Sequence, residues 1–391
     1  MPFDLARART DTPGAAEVLH FNNAGMGLTP TPVLAAVKAH LDLEAQIGGY
    51  EAADRAEAAV ERVYDAIAAL IGAKRDEIAI VENATRAWDM AFYGLRFKPG
   101  DRILTAVAEY ASNYIAFLQV AKRDGAVVKA VPNDETGQLD VKALERMIDP
   151  RVKLIAITHV PTNGGLVNPA EAVGRIAGAA GIPYLLDACQ SVGQLPVDVG
   201  RIGCDMLSAT GRKYLRGPRG TGFLYVKQSF LDRLEPPLLD LHAAKWVAPD
   251  KYEIRPDARR FENWEGNVAA KIGLGVAIDY ALGWGMEAIW DRVRTLADAL
   301  RRRLAAIPGV ALRDLGRTKC GIVTFTLESV APAAIKQALA RQRINVTTSS
   351  RFSTMLDMTE RGLDMVVRAS VHYYNSEEEI DRFARAIAAL R

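Results

Sequence analysis

Lys213 and Asp187 are the two residues of this sequence whose types and spacing most suggest chemistry. Lys213 lies in "SATGRKYLRGPRGTGFLYV" (208–226), in a short polar loop with glycines, arginines and a proline behind it and the β-rich "GFLYV" after that. It fits a solvated loop, and it also fits an amine set to condense with a cofactor aldehyde as a Schiff base. Asp187 ends the apolar run of "PYLLDACQSVG", with Gln190 three residues on. A carboxylate there is costly without a partner. It fits a helix N-cap, or a group that keeps a proton on a pyridine nitrogen so that the ring acts as an electron sink. The two residues stand 26 positions apart, room for one helix and one strand, so both would emerge at the same sheet edge. In "VENATRAWDMAF", Asn83, Ala84 and Thr85 open a helix. They offer N–H groups and a hydroxyl suited to phosphate, although Thr or Asn there also serves as a plain N-cap.

The elements that must hold these residues alternate from residue 77 onward. Candidate strands are 77–83, 102–107, 126–132, 153–160, 183–188, 205–210 and 222–226, several of them continuous apolar runs of the kind buried on both faces. Helical patterns such as "ASNYIAFLQVAKRDG", "DVKALERMID" and "AEAVGRIAGAAG" lie between them. This predicts an α/β fold with a mostly parallel seven-stranded sheet, helices on both faces, and an antiparallel last pair because no helix separates its strands. Four segments follow: an N-terminal stretch (1–20), a large domain (21–267), a linking helical region (268–307) broken around "GWGM", and a small α+β domain (308–391). The last helix starts at Ser376 and Glu379, which have capping-box spacing.

Composition narrows the class. The chain has 391 residues, 49% hydrophobic and 25% charged, with a net charge of +2. No polybasic footprint points to nucleic acid or anionic membranes. Cys189, Cys204 and Cys320 have neither an even count nor metal-type spacing, so no metal and a reducing cytoplasm are expected. The N-terminus lacks an apolar signal region, and no apolar run approaches a membrane span.

"DACQSVGQLPVDVGRIGCDMLSATGRKYLRGPRGTGFLYV" closely resembles the signature of the class V aminotransferase family, and the likeness extends from "FNNAGMG" to "VRASVHYYNSEEEIDRF". These are pyridoxal-phosphate (PLP) enzymes of fold type I, among them cysteine desulfurases, selenocysteine lyases and isopenicillin N epimerase-like proteins. The resemblance implies PLP attached to Lys213, Asp187 on the pyridine nitrogen, and Gln190 with Asn163 on the phenolic oxygen. It implies Thr85, Thr210 and Arg212 at the phosphate, and Tyr110 stacked on the ring where relatives usually carry histidine. Arg368 matches the arginine that clamps the substrate carboxylate, which its planar fork suits. "RRFENWEGNVA" matches a segment that reaches across a homodimer interface toward the phosphate. Relatives often have threonine where this chain has Glu265, so Asn267 or Trp264 is expected to make that approach instead.

The resemblance also bears on the reaction. Desulfurases of the family take sulfur on a cysteine placed before the substrate arginine. Here "INVTTSSRFSTMLDMTERGLDMVVR" contains none, and all three cysteines read as buried and structural, Cys189 pointing into the core by strand alternation. "EAQIGGYEAADRA", "AEYASN" and "GRKYLRGPRGTG" look like the hercynylcysteine sulfoxide lyase branch, with Tyr50 near the mouth of the site. The expected activity is carbon–sulfur β-elimination on a cysteine-derived amino acid, giving pyruvate and ammonia. An aminotransferase, with Arg351 as a second carboxylate contact, or an epimerase is the alternative.

Overall fold

The computed structural model describes residues 3–390. Its central sheet has seven strands: β1 (Ile78–Val81), β2 (Arg102–Ala106), β3 (Val127–Val131), β4 (Val152–Thr158), β5 (Tyr184–Asp187), β6 (Met206–Thr210) and β7 (Gly222–Val226). Their order is β1-β7-β6-β5-β4-β2-β3. Only β7 runs against its neighbours, pairing antiparallel with both β1 and β6, as the helix-free loop before it requires. The apolar runs are explained by burial on two faces. Along β4, Leu154 and Ala156 enter one hydrophobic cluster while Ile155 and Ile157 enter the cluster on the opposite side.

Helices cover both faces. α1 (Thr31–Ile47) and α2 (Glu57–Ile71) pack against the long helix at Val268–Trp284, α3 (Ala84–Phe92) and α4 (Ala111–Asp124) follow β1 and β2, and α5 (Ala170–Ala180) precedes β5. The stop after α5 is set by Gly181, whose φ of +63° lies in the left-handed region that only glycine enters without strain. The long helical region is α6 (Val268–Trp284) and α7 (Met286–Ala305), bent by 79° at Gly285. No single described helix is long and apolar enough to cross a membrane.

A second, antiparallel sheet has the order β8-β9-β11-β10, from β8 (Val310–Leu312), β9 (Ile322–Leu327), β10 (Thr347–Ser350) and β11 (Met365–Ser370). Its Val323, Phe325, Val367 and Ala369 share a core with Leu296 and Leu300 of α7, Ile335 of α8 (Pro332–Arg341), and Phe383 and Ile387 of α9 (Glu377–Ala388). Fully burying each such side chain contributes about 1.5–3 kcal/mol. The capping box at Ser376 and Glu379 is formed. The beginning of the chain joins this unit: Leu19 and His20 pair in parallel with Ile344 and Asn345, and Phe21 stacks edge-on against Phe383 at 5.0 Å.

Candidate active site

Chain leaving the carboxyl ends of β1, β2, β5 and β6 encloses a cleft of about 370 Å³. Asn83, Ala84 and Thr85 reach it from the start of α3, Tyr110 and Asn113 from the start of α4. Asp187 reaches it from the last position of β5 and Cys189 from just past it, Arg212 and Lys213 from beyond β6. Exposed Arg219, Gly220 and Glu82 complete the wall. Ligands gather at this edge of a parallel sheet because loops from several strands converge there.

Asp187 is 5% exposed. One carboxylate oxygen accepts from the Cys189 backbone N–H at 2.8 Å, the other from Asn113 Nδ2 at 2.9 Å. Burial pushes its carboxyl above the usual range, while these two bonds and the charge of Lys213 oppose that rise.

Lys213 Nζ stands 3.1 Å from Cys189 Sγ. The expectation that Cys189 points into the core is therefore corrected. Residue 189 lies past the end of β5, in a turn, where strand alternation no longer sets side-chain direction. Burial pushes its thiol up, against the pull of the Lys213 charge. Cys204 and Cys320 are buried, at 1% and 0% exposure.

The loop carrying Lys213 is less polar and less solvated than its sequence suggests. Tyr214, Leu215 and Arg216 are all at most 2% exposed. Arg216 donates to Leu28 O at 2.8 Å, Tyr373 Oη at 2.6 Å and Thr12 Oγ1 at 2.5 Å, with its guanidinium 4.4 Å from the Tyr374 ring centre. Its φ of +61° is strained for a side-chain-bearing residue, and these contacts with distant segments hold it there. Gly193 (φ +93°) lets the segment after β5 pass close to this loop: a Cβ there would lie 2.5 Å from Leu215 N.

Other expected site residues stand nearby but outside that cleft's wall. Gln190 donates through Nε2 to Ala24 O at 3.1 Å, and Asn163 through Nδ2 to Thr354 Oγ1 at 2.9 Å. Gln190 Oε1 and Asn163 Oδ1 are buried without a partner among the described residues, which leaves both able to accept a hydrogen bond. Thr210 accepts from Arg212 Nη1 at 3.2 Å. Arg368 is 8% exposed and donates through Nη1 to the Thr162 hydroxyl; its Nε has no partner, and no carboxylate among the described residues pairs with it. Burial lowers its pKa, and Tyr110 and Arg212 lie within electrostatic reach.

A second group lies apart. Trp264, Glu265 and Asn267 wall a neighbouring cavity of about 170 Å³, which meets the first at Glu82 and Gly220. The Asn267 side chain caps α6, accepting from Ala270 N at 2.9 Å. Tyr50 is 72% exposed, its ring 6.2 Å from that of Trp264. Arg351 pairs with Asp364 at 3.1 Å and walls neither cavity. Sequence reasoning passed over Cys189 as a cleft residue, Asn113, Arg219 and the anchoring Arg216. All four lay inside quoted motifs, Cys189 in "DACQSVG", Arg216 and Arg219 in "GRKYLRGPRGTG" and Asn113 in "AEYASN", but residue type alone did not single them out.

This donor set fits PLP. It offers an amine for the aldehyde and a buried carboxylate for the pyridine nitrogen. It also offers a helix N-terminus with two arginines for the phosphate, and two buried carboxamide oxygens without a partner, Gln190 Oε1 and Asn163 Oδ1. The model of the family described as "Aminotransferase class-V" matches residues 19–383. The chain belongs to the class V aminotransferase family. It is a PLP-dependent enzyme of fold type I.

Among its relatives, a probable cysteine desulfurase of Methanothermobacter thermautotrophicus is 31% identical over 378 residues, covering 95% of this chain and 94% of that protein. One from Pyrococcus abyssi is 31% identical over 389 residues, covering 98% and 96%. The apo structure of a cysteine desulfurase from Thermococcus onnurineus has a TM-score of 0.92 at 29% identity, covering 100% of this chain and 98% of that one. The cystine C–S lyase C-DES, solved with its reaction product cysteine persulfide, has a TM-score of 0.87 at 25% identity, covering 96% and 99%.

Proposed function

We propose that this enzyme is a carbon–sulfur lyase that acts by β-elimination on a cysteine-derived amino acid. Bound PLP supplies an electron sink for the charge left on the substrate α-carbon. Lys213 would carry the coenzyme through its amine and would take the proton from the substrate α-carbon as general base. Asp187 keeps the proton on the pyridine nitrogen, and the N-terminus of α3 with Thr85, Thr210 and Arg212 holds the phosphate. Gln190 and Asn163 supply the polar contacts at the phenolic oxygen, and Tyr110 covers one ring face. Arg368 grips the substrate carboxylate with two N–H groups. The sulfur-bearing group leaves Cβ with the bonding pair and is protonated; water is consumed, and the remainder ends as pyruvate and ammonium. In this reading the protein works as a homodimer, the exposed Tyr50 and Trp264 pair and Asn267 facing the partner's site.

The observation that carries the choice of lyase is that the chain after Cys320 contains no cysteine, so the segment leading to Arg368 offers no thiol to take sulfur. The test is to supply the PLP-loaded enzyme with cystine and S-substituted cysteines and no 2-oxo acid. Pyruvate is expected in equal amounts with the leaving group, a thiol from an S-substituted cysteine and cysteine persulfide from cystine; pyruvate that appears only with a 2-oxo acid acceptor would mean transamination. One observation favours a second reading. Cys189 Sγ lies beside Lys213 Nζ, so a desulfurase could place its sulfur there. Cysteine-dependent persulfide on Cys189, lost together with turnover in Cys189→Ala, would establish that reading.

A further inference from the structure

Directly behind Asp187 lies a second buried carboxylate, Glu109, at 3% exposure. It sits between β2 and α4 with no lysine or arginine among its hydrogen-bond donors. Five donors surround it. Thr105 Oγ1 and Thr158 N reach one oxygen at 2.9 and 3.0 Å. Tyr110 N, Asn113 Nδ2 and Thr158 Oγ1 reach the other at 3.0, 2.8 and 2.5 Å.

Asn113 links the two acids. Its Nδ2 has two hydrogens: one goes to Glu109, the other to Asp187 Oδ2 at 2.9 Å. Turned over, the same carboxamide would aim its oxygen at two carboxylates, an arrangement that burial makes strongly repulsive. We propose that Glu109 is a positioning residue, which locks the Asn113 carboxamide with its N–H group toward Asp187 and so keeps Asp187 an acceptor for the protonated ring nitrogen. The inference rests on the assignment of Asp187 to that nitrogen.

The lock depends on the charge of Glu109. As a carboxylate it only accepts; as a neutral acid it gains an O–H that can donate to Asn113 Oδ1 and release the amide. Burial pushes Glu109 up to about 7, and the ionisable groups acting on it or responding to it are Asp187 and Tyr184, both on β5. The Asp187 charge raises it further.

The test uses the PLP-loaded enzyme and reads coenzyme affinity and the absorption spectrum of bound coenzyme, not turnover. Glu109→Gln and Asn113→Ala should each weaken coenzyme binding about tenfold, the factor for about 1.4 kcal/mol, and alter the spectrum in the same direction. Because one residue acts through the other, the double variant should match Asn113→Ala alone. Full affinity and an unchanged spectrum in Glu109→Gln, or effects that multiply in the double variant, would overturn the proposal. If Glu109→Gln fails to fold, the spectrum of the wild type followed across pH 7 should show a component that Asn113→Ala lacks; identical titrations would overturn it. Asp187→Asn separates the two levels. If it changes neither affinity nor spectrum, the assignment of Asp187 falls and this inference with it. If it changes both while Glu109→Gln changes neither, only the role of Glu109 falls.

Discussion

Replacing Arg368 with methionine separates a binding role from a structural one. The guanidinium is buried, has no anionic partner within 4.0 Å among the described residues and spends a single N–H group on the Thr162 hydroxyl. A buried charge left unpaired costs several kcal/mol of effective desolvation. Methionine fills a similar length of cavity, removes that cost and forfeits one hydrogen bond from a charged donor, worth about 1.5–3 kcal/mol. Folding stability should therefore stay level or rise by about 1 kcal/mol. Binding should move the other way. Each hydrogen bond between the fork and a carboxylate contributes about 1.5–3 kcal/mol, so losing both should weaken amino-acid affinity by at least about 100-fold. The assay titrates the spectrum of the loaded enzyme with L-alanine, which has the carboxylate but no β-leaving group, and in parallel with ethylamine, which lacks the carboxylate. Arg368→Met should lose affinity for L-alanine and keep it for ethylamine. A variant that loses about 3 kcal/mol of stability while binding L-alanine normally would show Arg368 to be a packing residue and refute the reasoning.

Other outcomes follow from the same geometry. Cys189→Ala should retain pyruvate formation within a few-fold, since the lyase needs no thiol; complete loss would transfer the reaction to Cys189. Burial holds His159 at about 4, against 6.5 for the free side chain, so the folded protein protonates it later than the unfolded chain does. The stability associated with its neutral form is intact above pH 6.5 and is lost as the pH falls through 4; about 2 kcal/mol should be gone by pH 5. Urea midpoints at both pH values should show this loss in the wild type and a smaller one in His159→Gln. Sedimentation should give a dimer, and Tyr50→Ala with Trp264→Ala should weaken it or raise KM; a fully active monomer would remove the 260–267 segment from the shared site.

The sheet was legible because strands buried on both faces need an unbroken apolar middle, as Leu154–Ile157 and Tyr184–Leu186 have. Placing Asp187 and Lys213 at one edge followed from strand direction alone. What escaped the sequence depends on contacts between distant residues or on geometry past a strand end. Arg216 looks like one more loop arginine, and its burial is decided by Tyr373 and Tyr374, more than 150 positions away. Cys189 was misplaced by carrying strand alternation past residue 187. The Arg351–Asp364 pair joins two loop residues with no periodic signal between them. Glu109 was within reach: like Asp187, it is an acid just after an apolar strand, and the argument applied to one applies to the other.

The most direct measurement reduces the loaded enzyme with borohydride, digests it and locates the added coenzyme mass by peptide mass spectrometry. The account predicts that mass on Lys213 and its disappearance in Lys213→Ala. Coenzyme fixed to a different lysine, or to none, would contradict it.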